Sequence, residues 1–182
     1  MSERPILFSA GMIRAILAGT KTQTRRVIKI APHARFVCRR VCQAMEPHEL
    51  MWSVDGHAHS TRVAYDVGDR LWVRETWSQP DPTNRYVFYR ADCDEAQLQM
   101  EREVRREVGP GAYAHWRPSI YMPRWASRIT LEITNVRVER VQDISAQDSL
   151  AEGVPRASEC GCGWEANPWC WCLTFGRVEA KP

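Results

Sequence analysis

The chain has 182 residues, 44% of them hydrophobic and 26% charged, with a net charge of +3. This is the length and balance of one soluble globular domain with a proper core. No stretch approaches the roughly 18 consecutive apolar residues that a membrane span needs. The polar start Met1-Ser2-Glu3-Arg4-Pro5 does not read as an export signal. An odd number of cysteines, seven, then points to reduced thiols in a cytoplasm rather than to a disulfide framework. Arg far outnumbers Lys and there are eight Trp. Those side chains suit bidentate contacts to phosphate or carboxylate and stacking on bases, although Trp serves equally well in a core.

Taken in order, Ile6-Leu7-Phe8 reads as a strand. Ser9 is a good N-cap for a helix in which Met12, Ile13, Ile16 and Leu17 recur at helical spacing, and Gly19 is the residue expected just past its end. Lys21-Thr22-Gln23-Thr24-Arg25-Arg26 is therefore expected in a turn that leads into the apolar pair Val27-Ile28. Residues 30–64 show no clean period and read as an insertion holding a helix or a hairpin. After the turn signal Val67-Gly68-Asp69 comes a strand with informative parity. Leu71, Val73, Glu75 and Trp77 share one face; Trp72, Arg74 and Thr76 share the other. A carboxylate on that apolar face must be ion-paired, hydrogen-bonded or shifted in pKa.

Tyr86-Val87-Phe88-Tyr89 reads as another strand, and 94–108 as a peripheral helix capped by Asp94, with a thin stripe of Met100, Val104 and Val108. The stretch from Trp116 to Arg128 has no period; Pro118 and Pro123 make it stiff and extended. A strand at Ile129–Thr134 is expected to bulge or turn near Asn135, because apolar parity shifts there. Ser145-Ala146-Gln147-Asp148 opens a short helix that ends at Gly153, and a last strand spans about Trp169 to Val178. Short strands dominate. The expected architecture is α+β, a small mixed barrel with flanking short helices, in one domain with insertions at 30–64 and 93–115.

Two motifs in this order, Gly19-x-Lys21-x-x-Thr24-x-Arg26 and Gly68-Asp69-x-Leu71-x-Val73-x-Glu75, resemble those of the ASCH domain family. The wording Met122-Pro123-Arg124-Trp125-Ala126-Ser127-Arg128 is similar to that of ASCH proteins from bacteria and their prophages. The resemblance implies a PUA-like β-barrel and a cleft that binds RNA or nucleotides. It also implies, as in some small bacterial members, an amidohydrolase that removes the acyl group of N4-acetylcytidine with a Lys, a Thr and a Glu. Those roles fall on Lys21, Thr24 and Glu75, and no cofactor is implied.

The chemistry is coherent with those residue types. Amide hydrolysis needs a nucleophile, a base to activate it and an acid for the leaving amine. Thr24 supplies a hydroxyl, and a Lys21 amine depressed by desolvation or by Arg25 and Arg26 is its base. Glu75, kept protonated by burial, is the acid. The competing assignment makes Lys21 and Glu75 a structural ion pair and Thr24 a turn hydroxyl. A second function, a non-catalytic RNA reader, would use Arg25, Arg26, Arg74, Arg124 and Arg128 on phosphates and Trp77 or Trp125 on a base. RNA cleavage in the same groove is a third, with no well-placed His pair behind it. The partner in each case is a modified nucleoside or single-stranded RNA. For metals, Cys160, Cys162, Cys170 and Cys172 are the set to examine as a four-thiolate site, although the latter two equally suit small buried apolar positions. Cys38, Cys42, His48, His57 and His59 match no standard finger spacing.

Overall fold

The computed structural model describes residues 2–30, 35–36, 49–54, 57–62, 64–79, 86–107, 115–153 and 163–178. Its strands are β1 (Glu3–Leu7), β2 (Gln23–Val27), β3 (Arg35–Phe36), β4 (Glu49–Val54), β5 (His57–Arg62), β6 (Arg70–Arg74), β7 (Trp77–Ser78), β8 (Phe88–Tyr89), β9 (Thr130–Arg140) and β10 (Trp169–Val178). Its helices are α1 (Ala10–Leu17), α2 (Glu95–Glu107) and α3 (Ala146–Ala151). The class is α+β with a mostly sheet core, as expected. Among the described residues the sheets are open and no strand pairing closes a barrel. No helix among them is long and apolar enough to cross a membrane. Contacts group the chain into two compact units. The first holds Met1–Gly19, Arg70–Leu131 and Arg177–Pro182; the second holds Thr20–Asp69 and Glu132–Gly176.

In the first unit β1 lies parallel to β6, in register from Glu3 with Arg70 to Leu7 with Arg74. Pro5 is tolerated because β1 is an edge strand. The Val73 amide donates to the Ile129 carbonyl at 2.9 Å, which leads into β9. Helix α1 starts where Ser9 Oγ accepts from the Met12 amide and stops before Gly19, whose φ of +74° is the left-handed conformation glycine adopts without strain. Ile13 and Ile16 are buried, but Met12 and Leu17 are exposed, so the apolar stripe is narrower than its spacing suggests. The helix rests on the turn Arg90–Asp92, where Arg14 Nη1 donates to the Ala91 carbonyl.

The face Leu71, Val73, Glu75, Trp77 is buried as the parity implies, although the strand itself breaks after Arg74 and resumes as β7. Strand β8 pairs with β7 but spans only Phe88–Tyr89. Asp94 and Gln97 cap α2 reciprocally, each accepting the other's amide. The buried residue on α2 is Glu101, flanked by half-buried Leu98 and Val104, while Met100 is exposed. The helix is thus turned away from the expected Met100 stripe; Val108 lies outside the described residues. The stretch 116–128 is not extended throughout. Pro118 and Pro123 each precede a single 3₁₀ turn, and the turns press Met122 and Ala126 onto Trp77.

In the second unit the order is β9, β10, β2. Strand β10 is antiparallel to β2, from Cys170 opposite Val27 to Thr174 opposite Gln23. Thr24, Arg25 and Arg26 are therefore strand residues, not the turn expected of them. Strand β10 is flanked by strands on both sides and every residue from Trp169 to Leu173 is buried. Strand β9 runs unbroken through Asn135, so no turn forms there; alternate burial simply stops after Ile133. Ser145 caps α3 and Gly153 follows it at φ +73°, as expected. Within 30–64 the described pieces are β3, β4 and β5, with β4 and β5 a hairpin.

Leu131 is fully buried, whereas Leu150 on α3 is largely exposed. Leu131→Ala is expected to cost about 2–5 kcal/mol and Leu150→Ala less than about 0.5 kcal/mol, read by urea unfolding of each variant.

Candidate active site

Each unit carries part of the residue set that the two motifs single out. In the second unit, backbone bonds seat the segment before β2. The Thr22 amide donates to the Ala151 carbonyl at 2.8 Å, and the Thr22 carbonyl accepts from the Phe175 amide at 2.9 Å. Lys21 is 2% exposed. Its Nζ donates to the Gln23 carbonyl at 2.8 Å and the Glu152 carbonyl at 2.7 Å. The first of these carbonyls belongs to the peptide that ends at the Thr24 nitrogen, so the amine is held against the backbone of Thr24. Thr24 is buried opposite Leu173, and its hydroxyl makes no hydrogen bond among the described residues.

Arg25 points to the other face of β2 and is wholly inside. Its side chain is 0% exposed, with Nη1 on Glu152 Oε1 and Gln23 Oε1, and Nη2 3.3 Å from Glu139 Oε2 and 3.6 Å from Asp148 Oδ2. Arg137 bridges Glu139 and Asp148 at 3.3 and 3.1 Å. Burial works against the Asp148 carboxylate, but hydrogen bonds from Gln23, Ser145 and Arg137 bring its pKa down to about 2. A guanidinium held this way is part of the interior, and this corrects its assignment to a phosphate. Three carboxylates also offset the positive field that Arg25 was expected to exert on Lys21. Arg26 is half-buried on the same strand, opposite Trp171.

In the first unit Glu75 follows β6 and is 2% exposed; its amide donates to Met122 Sδ. Arg128 reaches it through a fork, Nε to Oε1 at 2.9 Å and Nη2 to Oε2 at 3.0 Å. The outer edge of the same guanidinium grips Asp92, Nη1 to Oδ2 and Nη2 to Oδ1, both at 2.7 Å. Its plane lies 3.9 Å from the centre of the Tyr89 ring, whose hydroxyl donates to the Ala126 carbonyl. Burial pushes the Glu75 carboxyl above the ordinary glutamate range; the hydrogen bonds and charge of Arg128 oppose that shift without cancelling it. Glu75 is thus ion-paired, one of the outcomes open to a carboxylate on an apolar face, and its pKa stays raised within the pair.

The remaining sequence-derived candidates divide. Trp77 is buried against Met122 and Ala126, with Arg117 over its ring, so it is a core side chain and not a base-stacking one. Trp125 meets its edge at 88° and stays half exposed. Arg74 lies over Trp72 and donates to the Ile120 carbonyl; Arg124 is forked onto Glu3. Four of Arg128's five N–H groups are spent on carboxylates, which removes it from the phosphate-binding set. Cys170 and Cys172 are buried in β10. Cys172 donates to Glu139, and burial pushes its thiol up to about 12, far from the thiolate a metal needs. Cys160, Cys162, Cys38, Cys42 and His48 lie outside the described residues. His59 stacks on Trp52, and the described residues hold no group of three metal-ligating side chains.

Asp92, Tyr89 and Glu152 are the functional neighbours that sequence reasoning missed. Asp92 meets Arg128 across 36 positions, and no local pattern marks such a pair. Glu152 carried one signal, its place beside the helix-ending Gly153. No protein-family model, curated protein or solved structure matches the chain.

The ion-pair network beneath Lys21 supplies a test. Arg25→Ala would strip the buried Glu152 carboxylate of its guanidinium and is expected to lower the unfolding free energy by roughly 3–5 kcal/mol in urea titration. The Asp148 pKa is lower in the folded chain than its unfolded value of about 3.9. Its stabilising contribution is therefore present above about pH 4 and lost as pH falls toward 2, so the wild-type excess over Arg137→Ala, which removes one of the donors that lower it, should shrink across that window.

Proposed function

We propose that the protein hydrolyses the amide of an N4-acylated cytidine, free or in single-stranded RNA, in the cytoplasm and without a cofactor. On this reading the fold is a PUA-like barrel of ASCH type, enlarged by the 30–64 and 93–115 insertions. The observation that carries it is Glu75: a carboxyl 2% exposed, which burial holds above the ordinary glutamate range even beside an arginine, the direction a proton donor to a leaving amine needs. Lys21 adds support, because its buried Nζ is held on the Gln23 carbonyl, beside the backbone nitrogen of Thr24.

In the reaction, Thr24 Oγ1 attacks the acyl carbonyl carbon as its proton passes to the Lys21 amine. The C–N4 bond then breaks, and N4 takes a proton from Glu75, leaving cytidine, an acyl ester on Thr24 and a Glu75 carboxylate. Water attacks that ester after giving a proton to Glu75. The Thr24 oxygen recovers its proton from Lys21 as the carboxylic acid departs. Both groups thus return to their starting states. Glu75 acts in its protonated form, so turnover falls as pH rises through its folded pKa, and the neutral Lys21 amine that the first step needs is lost as pH falls.

A second reading, an RNA reader, draws on exposed Ile120, Tyr121 and Trp125 around the two 3₁₀ turns of the first unit. One experiment separates the two. N4-acetylcytidine is incubated with the purified protein and cytidine followed by chromatography. Release is expected, with kcat/KM lowered about 10²–10⁴-fold in Lys21→Ala, Thr24→Val and Glu75→Gln. No release, together with single-stranded RNA binding that weakens steeply with salt, would overturn the hydrolase in favour of the reader.

A further inference from the structure

An arginine beside a buried glutamate ordinarily locks it as a carboxylate. Protonating the glutamate would strand a buried cation, and a stranded buried charge is costly. Arg128 is arranged to escape this. One edge of its guanidinium, Nε and Nη2, holds Glu75; the other edge, Nη1 and Nη2, holds Asp92. Three charges share one plane of hydrogen bonds, two negative and one positive. If Glu75 takes a proton, Arg128 still has a full carboxylate partner. Asp92 is 52% exposed by its side chain while Glu75 is 2% exposed, so of the two, Glu75 is the one whose charge is costly to desolvate. The groups facing Glu75 within its unit are Arg128 before β9, Asp92 in the turn after β8, and Tyr89 of β8, whose ring supports the guanidinium.

We propose that Asp92 is a positioning residue for Glu75: by gripping the outer edge of Arg128 it neutralises that guanidinium and so leaves Glu75 free to bind and release a proton. Its catalytic meaning rests on the hydrolase reading; the electrostatic device itself does not. Removing the Asp92 charge gives Arg128 wholly to Glu75 and holds Glu75 as a carboxylate to lower pH.

The test reads Glu75 directly. In protein labelled with carbon-13 at the glutamate side-chain carboxyls, the Glu75 signal is assigned by its loss in Glu75→Gln and followed against pH. Asp92→Asn is expected to move its midpoint down by about one pH unit. Asp92→Ser, which frees the same edge, should do likewise and stands in if the Asn variant does not fold. Asp92→Glu, which keeps the charge, should restore most of the original midpoint. Glu3→Gln, which breaks the separate Arg124 pair, should leave it unmoved. An unchanged or raised midpoint in both neutral variants would overturn the proposal. A lowered midpoint in protein that shows no hydrolysis supports the Asp92 role and counts against the hydrolase reading; hydrolysis with an unmoved midpoint does the reverse.

Discussion

A guanidinium taken out of water must be met by carboxylates, and in the second unit that requirement organises everything near Lys21. Arg25 draws Glu152 from the end of α3, Asp148 from its first turn and Glu139 from β9. α3 is docked with little apolar burial of its own; Ile144 before it and Ser149 within it are covered, and Leu150 is not. The ion pairs therefore do what a greasy stripe would do in a longer helix. Because α3 is held there, the Glu152 and Ala151 carbonyls are available to Lys21 and Thr22. The buried amine owes its place to its neighbour's charge.

The first unit meets the same requirement differently. Arg128 is not sunk into the interior but laid across Tyr89, with one carboxylate buried and the other in solvent. Around Arg25, hydrogen bonds to Asp148 outweigh burial and hold that carboxyl low. The asymmetry around Arg128 lets desolvation dominate at Glu75 while Asp92 keeps the cation satisfied. Arg25 and Arg128 are thus both ion-paired arginines, yet burial wins over pairing at Glu75 and hydrogen bonding wins over burial at Asp148.

What could be read from the sequence was local. Caps at Ser9, Asp94 and Ser145 and the stops at Gly19 and Gly153 depend on residues within one turn of each other, and each forms as its residue types dictate. Alternation from Leu71 to Trp77 placed Glu75 on a buried face for the same reason. Strand β2 was missed because its burial is ionic: Gln23, Thr24 and Arg25 are all covered, and none is apolar. Trp77 and Arg128 were misassigned because residue type alone does not say whether an aromatic ring or a guanidinium is already occupied. Their partners Met122, Glu75 and Asp92 lie tens of residues away. The α2 face was misjudged because its buried residue is Glu101 rather than an apolar one.

An acyl ester on Thr24 is what the proposed reaction requires between its two chemical steps. It is tested most directly by quenching the protein in acid during turnover of N4-acetylcytidine and mapping its peptides by mass spectrometry. One acetyl group is expected on the peptide that holds Thr24, strengthened when the second half-reaction is slowed and absent in Thr24→Val. Turnover with no acetylated peptide, or with the acetyl group on a residue other than Thr24, would contradict it.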